Sequence, residues 1–270
     1  YVHSWLQDGT IARWLGRIVV LRNGQVVDES RDVDRFVGVP GMNAMCRQLV
    51  DGLAVRLEST VTAIRRDATR WRIVTANNSE AGFDFVLVSA PAAQTEELTK
   101  DAAPQIAQRA RAAVTEGCWA VLTSFEERLP MDYDGAFVQD SPLAWIARNS
   151  SKPGRKTAET WVLHASPEWS RSRIDESPET ITPQMLGAFW QSVGTGSRQP
   201  TYCTAHRWRY ALPTQPLPEQ GSLQQGNPTS ETGLVRYVKI RSEALSEFWG
   251  RDKYIGANVL LPARYAEEPD

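Results

Sequence analysis

The chain has 270 residues, of which 23% are charged, and a formal net charge of −2. That length supports one large domain or two small ones with a sizeable core. The near-neutral balance excludes a strongly basic nucleic-acid binder, and no run approaches the roughly 18 apolar residues of a membrane span.

Cys46, Cys118 and Cys203 are odd in number and far apart, which argues against a disulfide framework and for a reducing, cytoplasmic setting. The first residues, Tyr1-Val2-His3-Ser4-Trp5, carry neither an initiator Met nor a signal-peptide pattern. The last, Ala266-Glu267-Glu268-Pro269-Asp270, follow a strand-like run that has nothing after it to pack on. Both ends read as cut, so the sequence is expected to be a fragment. It carries no signal for a particular oligomeric state.

In chain order, residues 1–16 predict a short helix and a turn. Residues 17–28 predict a hairpin about Asn23-Gly24, the dipeptide that best tolerates positive φ in a type I′ turn. Val37-Gly38-Val39-Pro40-Gly41 is a loop that feeds a helix, with Met42, Met45, Cys46, Leu49 and Val50 at helical spacing. Asn43 or Gly41 is the expected cap and Gly52 the stop. A glycine loop at a helix start can receive a phosphate. This one has neither a P-loop lysine nor Gly-x-Gly-x-x-Gly spacing, so a packing loop is the better reading.

Residues 55–64 alternate Val55, Leu57 and Ser59 against Arg56, Glu58 and Thr60 and predict a strand, with Trp71 to Ala76 as the next. Phe83 to Ala93 is a short apolar run ended by Ser89-Ala90-Pro91-Ala92, and predicts a buried strand. The small residues of its turn let backbone approach a ligand beyond the strand's carboxyl end, where ligands sit in open α/β sheets. Residues 93–113 predict helix, broken at Pro104.

Strands are then expected at 118–126, 135–139, 143–149, 160–166 and 201–210. Helices are expected to start at Ser166-Pro167 and Ser177-Pro178, with an amphipathic helix over 185–193. From Leu212 to Gly233 the composition is that of a linker. Residues 233–270 resume strand patterns in a piece too short to stand alone.

Several segments together resemble the renalase-like flavoproteins of the flavin-containing amine oxidase family. They are VGVPGMNAMCRQL from Val37, the strand of Val61, FDFVLVSAPAA from Phe83 and CWAVLTSFE from Cys118. The likeness continues in GAFVQDSPLAWIARNSSKPGR from Gly135, TWVLHASPEWSR from Thr160 and AHRWRYALP from Ala205, and covers roughly residues 1–213.

The resemblance implies an α/β (α+β) chain with an incomplete two-lobed FAD-binding fold. An NAD(P)-binding-like lobe would occupy about 36–113. A mainly antiparallel substrate-domain sheet would occupy about 1–35 and 114–213, followed by a linker at 214–232. Residues 233–270 resemble the start of an enterochelin-esterase-type α/β-hydrolase, without its Gly-x-Ser-x-Gly elbow.

Carried over residue by residue, Val61 matches the position whose backbone meets the adenine. Ala90, Pro91 and Ala92 match the turn beside the ribose and pyrophosphate. Trp145, Asn149, His164, His206 and Trp208 match the sheet on the substrate side. The family's Gly-x-Gly-x-x-Gly turn and its closing Gly-Asp motif are not in the chain.

The implied function is an FAD-dependent oxidoreductase. Its substrate is a small molecule, an amine or a dihydronicotinamide, that gives a hydride to the flavin, with oxygen as acceptor. The alternatives are a non-catalytic remnant or ligand-binding fragment, and an esterase fusion fragment. The protein's share of flavin chemistry is orientation and tuning, so no acid–base dyad is required and no catalytic residue is singled out.

Each candidate has a plainer reading. His206 is suited to polarise a substrate, and Trp145 or Trp208 to stack on a planar ring, but a strand tryptophan is commonly core. His164 suits a hydrogen-bonded core position equally well. Arg148, Lys152 and Arg155 are candidates for substrate phosphates, although charges beside a Pro-Gly turn are commonly just solvated. Cys203-x-x-His206 has no second ligand pair, so no metal is expected. Ser141 and Ser166 lack a base, so serine hydrolysis is not expected in residues 1–213.

Overall fold

The computed structural model describes residues 2–30, 33–67, 69–76 and 79–214 (side chains of 79–81 excepted), and the backbone of 235–241 and 254–260. The elements in chain order begin with α1 (Val2–Gln7), β1 (Ile11–Arg13), β2 (Ile18–Arg22), β3 (Gln25–Glu29), β4 (Phe36–Gly38) and α2 (Ala44–Val50). Then come β5 (Val61–Asp67), β6 (Arg70–Thr75), β7 (Ser79–Phe83), α3 (Ala92–Thr99) and α4 (Pro104–Ala112). After them follow β8 (Thr115–Phe125), β9 (Gly135–Gln139), β10 (Leu143–Arg148), β11 (Glu159–Ala165), α5 (Pro167–Arg171), α6 (Pro178–Val193) and β12 (Tyr202–Pro213). The last described are β13 (Val235–Arg241) and β14 (Tyr254–Leu260). This mixed content, mostly sheet, is the expected α/β class.

The chain forms two compact units, Tyr1–Ala54 with Thr115–Leu212, and Val55–Val114 with Pro213–Asp270. Residues 36–54, assigned by resemblance to the cofactor lobe, cluster with the first unit.

The first unit is built on a seven-stranded sheet in the order β12-β8-β11-β10-β9-β2-β3. β8–β11, β11–β10, β10–β9 and β2–β3 are antiparallel, and β9–β2 is parallel. The β2–β3 turn has Asn23 at φ 49° and Gly24 at φ 75°, the positive pair that a type I′ turn requires. Along β11 the residues alternate buried and half-buried, as they do when one face of a sheet is covered more fully than the other.

On the covered face Val19, Leu21, Trp119, Val121, Ile146, Trp161 and Leu163 meet Ile181, Met185 and Phe189 of α6. That helix starts where Ser177 accepts from the Thr180 N–H and Pro178 supplies a preset φ, and stops at Gly194 with φ 67°.

Below this core lies a buried ion pair. Arg148 Nε is 3.2 Å from Glu159 Oε1, an ion-pair contact without hydrogen-bond geometry. Arg148 Nη2 donates to the carbonyls of Leu129 and Met131. Glu159 Oε1 accepts from Trp161 Nε1 at 2.8 Å and from the Leu129 N–H at 3.2 Å. Arg148 is therefore a neutralised core residue, which removes it from the candidates for substrate phosphate.

The second unit carries the antiparallel sheet β5-β6-β7. Its core is Ile64, Trp71 and Ala103, with Val61, Phe83, Val86, Val88, Leu98 and Ile106 packed on it. Two sequence expectations fail here. The strand expected from residue 55 begins only at Val61, with Val55 and Leu57 exposed. The buried strand expected over Phe83 to Ala93 ends at Phe83.

In residues 84–89 Val86 and Val88 pack on the core, while Phe85 and Leu87 are 51% and 74% exposed. The physical reason is the same for both stretches. Alternation in the first stretch and an apolar run in the second suit a strand, but a strand is made by a hydrogen-bonding neighbour, and among the described residues neither stretch has one. α3 and α4 do break before Pro104 as expected.

β13 and β14 pair antiparallel from Val235↔Leu260 to Arg241↔Tyr254. Apart from Thr214, the expected linker at 214–232 lies outside the described residues. So does the esterase-like segment apart from the backbone of these two strands.

Candidate functional site

Strand register decides which side chains share a face. His164 on β11 is opposite Trp145 on β10 and Ala120 on β8. Trp145 is opposite Phe137 on β9, and Phe137 is opposite Val20 on β2. Directly opposed residues project to the same side, so these form one row, on the face away from α6. Phe137 and Trp145 contact through tilted rings with centroids 4.7 Å apart.

On β12, Cys203 and Ala205 join the α6-side core. Alternation then turns His206 and Trp208 to the open face, where their rings meet edge-on at 4.6 Å. Trp208 is 57% exposed. Four of the five substrate-side candidates thus share one face. Asn149 stands at its margin, in the 3-10 turn Asn149–Ser151 that follows β10.

That margin is built from distant parts of the chain. Trp14 packs with Ile18, Val37, Ala147 and Trp145, and its Nε1 donates to Ser151 Oγ at 3.0 Å. Lys152 Nζ lies 5.3 Å from the Trp14 ring centroid and donates to Asn149 Oδ1 at 3.2 Å. Burial, and then the neighbouring charge of Lys152, holds the His164 pKa below its usual range, so its imidazole is neutral at pH 7. Burial, and then Arg155, lowers that of Lys152. Trp145 is both core and site, half-buried against Trp14 and yet in the open row. Trp14, Phe137 and the Lys152–Trp14 contact escaped the sequence reading. For Phe137 the alternation within 135–139 was the available signal.

In the second unit Val61 opens β5 opposite Thr75 and packs on that unit's core. The Ala90 carbonyl accepts from Thr95 Oγ1 at 2.8 Å, and the Pro91 carbonyl accepts from the Thr95 N–H at 2.8 Å. Pro91 occupies the N-cap of α3 and makes no side-chain cap. The first N–H groups of α3 therefore remain available beside small side chains, the arrangement that accepts an anionic group. Such a corner is suited to an anionic group such as a pyrophosphate, and the open face of the first unit, taken by itself, to a planar ring. The Gly-x-Gly-x-x-Gly turn is not among the residues present.

Among the described residues, no group of three or more His, Cys, Asp and Glu is disposed to hold a metal ion. Among them also, no helix is long and apolar enough to cross a membrane.

Residues 20–236 match the family described as flavin containing amine oxidoreductase, and the chain belongs to that family. It is similar to renalase of Mus musculus, with 21% identity over 197 residues, 68% of this chain and 57% of that protein. Its fold is similar to a solved structure from Exiguobacterium sp. 255-15 assigned as a protoporphyrinogen oxidase. There the TM-score is 0.54 and the identity 21%, over 68% of this chain and 42% of that one. The chain spans about half the length of these relatives.

Proposed function

We propose that the chain supplies the substrate face and part of the cofactor lobe of an FAD-dependent oxidoreductase. Its substrate is a small molecule, an amine or a dihydronicotinamide, that gives up a hydride, and oxygen is the final acceptor. The observation that carries this reading is the open face of the seven-stranded sheet. It gathers Phe137, Trp145, His164, His206 and Trp208 opposite a fully packed core. When bound, the flavin supplies the two-electron acceptor.

The chain's own residues do the rest. The tilted Phe137–Trp145 pair offers ring surface on which a planar group stacks and from which water is excluded. His164, kept neutral, offers one ring nitrogen as donor and the other as acceptor, and so orients a polar substituent. Ala90, Pro91 and Ala92, with the first N–H groups of α3, would hold the pyrophosphate, and the backbone at Val61 would hold the adenine.

The test is to purify the full chain and record its visible spectrum with and without added FAD. Flavin absorbance stoichiometric with protein, and thermal stabilisation by FAD, are expected. A colourless protein that FAD does not stabilise overturns the reading in favour of a non-catalytic fragment.

A further inference from the structure

Arg148, Lys152 and Arg155 follow one another closely where β10 ends, and only Arg148 has a counter-charge. Among the described residues, neither Lys152 nor Arg155 makes an ion pair. Both are half-buried rather than solvated. Arg155 Nη1 donates to the carbonyls of Gly38, Pro40 and Pro153, while its Nη2 is buried with no hydrogen-bond partner. Lys152 spends one of its three N–H donors on Asn149 and rests over Trp14.

The loop that carries them is firmly seated. Gly154 has φ +73°, and a Cβ there would come within 2.7 Å of Val39 Cγ1 and 3.2 Å of Pro40 Cα. Two like charges held together and partly desolvated without a counter-ion are costly. Burial lowers the pKa of both, as the strain of such a pair requires. A bound oxyanion removes that cost and takes up the spare donors of Lys152, with the Arg155 charge behind it.

We propose that Lys152 and Arg155 form an oxyanion subsite, for a phosphate or carboxylate group, at the margin of the open sheet face beside His164 and Trp145. The subsite's role in substrate binding rests on reading that face as the substrate side.

Calorimetric titration of the full chain with inorganic phosphate, and separately with acetate, at constant ionic strength and without flavin tests the proposal. Saturable binding is expected, weakened about tenfold or more by Lys152→Met and retained by Lys152→Arg. Arg13→Gln, at an exposed pair with Asp34, serves as the control that leaves binding unchanged. Arg155→Met is expected to weaken binding too. Because Arg155 also ties two loops together, Lys152→Met is the decisive variant.

Tighter phosphate than acetate assigns a phosphate ligand, and the reverse a carboxylate. Competition by excess FAD assigns the group to the cofactor's pyrophosphate, and lack of competition assigns it to the substrate. Absence of saturable binding to either anion, or a Lys152→Met variant that binds like the parent, overturns the subsite. The readout needs no flavin. A colourless protein that FAD does not stabilise but that binds phosphate would sink the oxidoreductase reading alone, and a flavin-bearing protein indifferent to both anions would sink the subsite alone.

Discussion

The two units close over their apolar cores to different extents. In the first, seven strands are hydrogen-bonded in one sheet, and the sixteen-residue α6 closes one face. Trp119, Trp161, Phe189 and even Arg148 are fully buried there. In the second, three strands cover a core of Ile64, Trp71 and Ala103, while Val55, Leu57, Phe85 and Leu87 stay exposed. Apolar residues become a core only where neighbouring elements exist to close over them. The first unit is therefore expected to be the harder to open and the second the easier.

The sharpest way to break that hierarchy is Glu159→Ala. It leaves the buried Arg148 with only the half-buried Asp134, 3.5 Å from Nη1, as counter-charge, at an expected cost toward the lower end of about 3–5 kcal/mol. Denaturation followed by amide exchange is expected to show β8, β10 and β11 losing their protection. If their protection is unchanged, the ion pair does not hold the first unit together.

Next comes Trp71→Ala, which empties the centre of the smaller core at an expected cost of about 3 kcal/mol. Exchange is expected to rise across β5 and β6 while β8 to β11 keep their protection. Loss of protection in both sets would show that the units do not open separately.

The smallest effect is a pH dependence confined to the first unit. The folded pKa of His164 lies below its ordinary 6.5, so the unfolded chain takes up the proton first. The stability that goes with the neutral imidazole is full above about 6.5 and is lost as pH falls below it. His164→Gln is expected to flatten the stability profile of the first unit in that acid range. A profile of unchanged slope would assign the dependence to other groups.

Local signals were legible. Asn23-Gly24 marked its turn, Ser166 and Ser177 marked the starts of α5 and α6, and Thr160 to Ser166 read as the strand that forms β11. From these, and from the family resemblance, a mainly antiparallel sheet could be anticipated. What stayed hidden depends on partners. Residues 84–89 hold an apolar run of the kind that makes a buried strand, yet such a run carries no information on whether a neighbour exists. Arg148 looks like its neighbours Lys152 and Arg155 in sequence. Only the pairing of β10 with β11 brings Glu159 to it and leaves the other two uncompensated. The indole of Trp14 reaches the same corner across 137 residues.

The parallel pairing of β2 with β9 also has a consequence for synthesis. Ile18 is opposite Gly135, so β2 and β3 leave the ribosome as an orphan hairpin, with one edge open and no helix above them. Everything from β5 to α4, with its own small core, is made before their neighbour arrives. A parallel join at such long range is slow to form, because closure entropy falls due before any contact repays it. The nascent chain is thus expected to pass through a stage in which β9 has not yet joined β2, and during that stage the bare edge of β2 is open to chaperones.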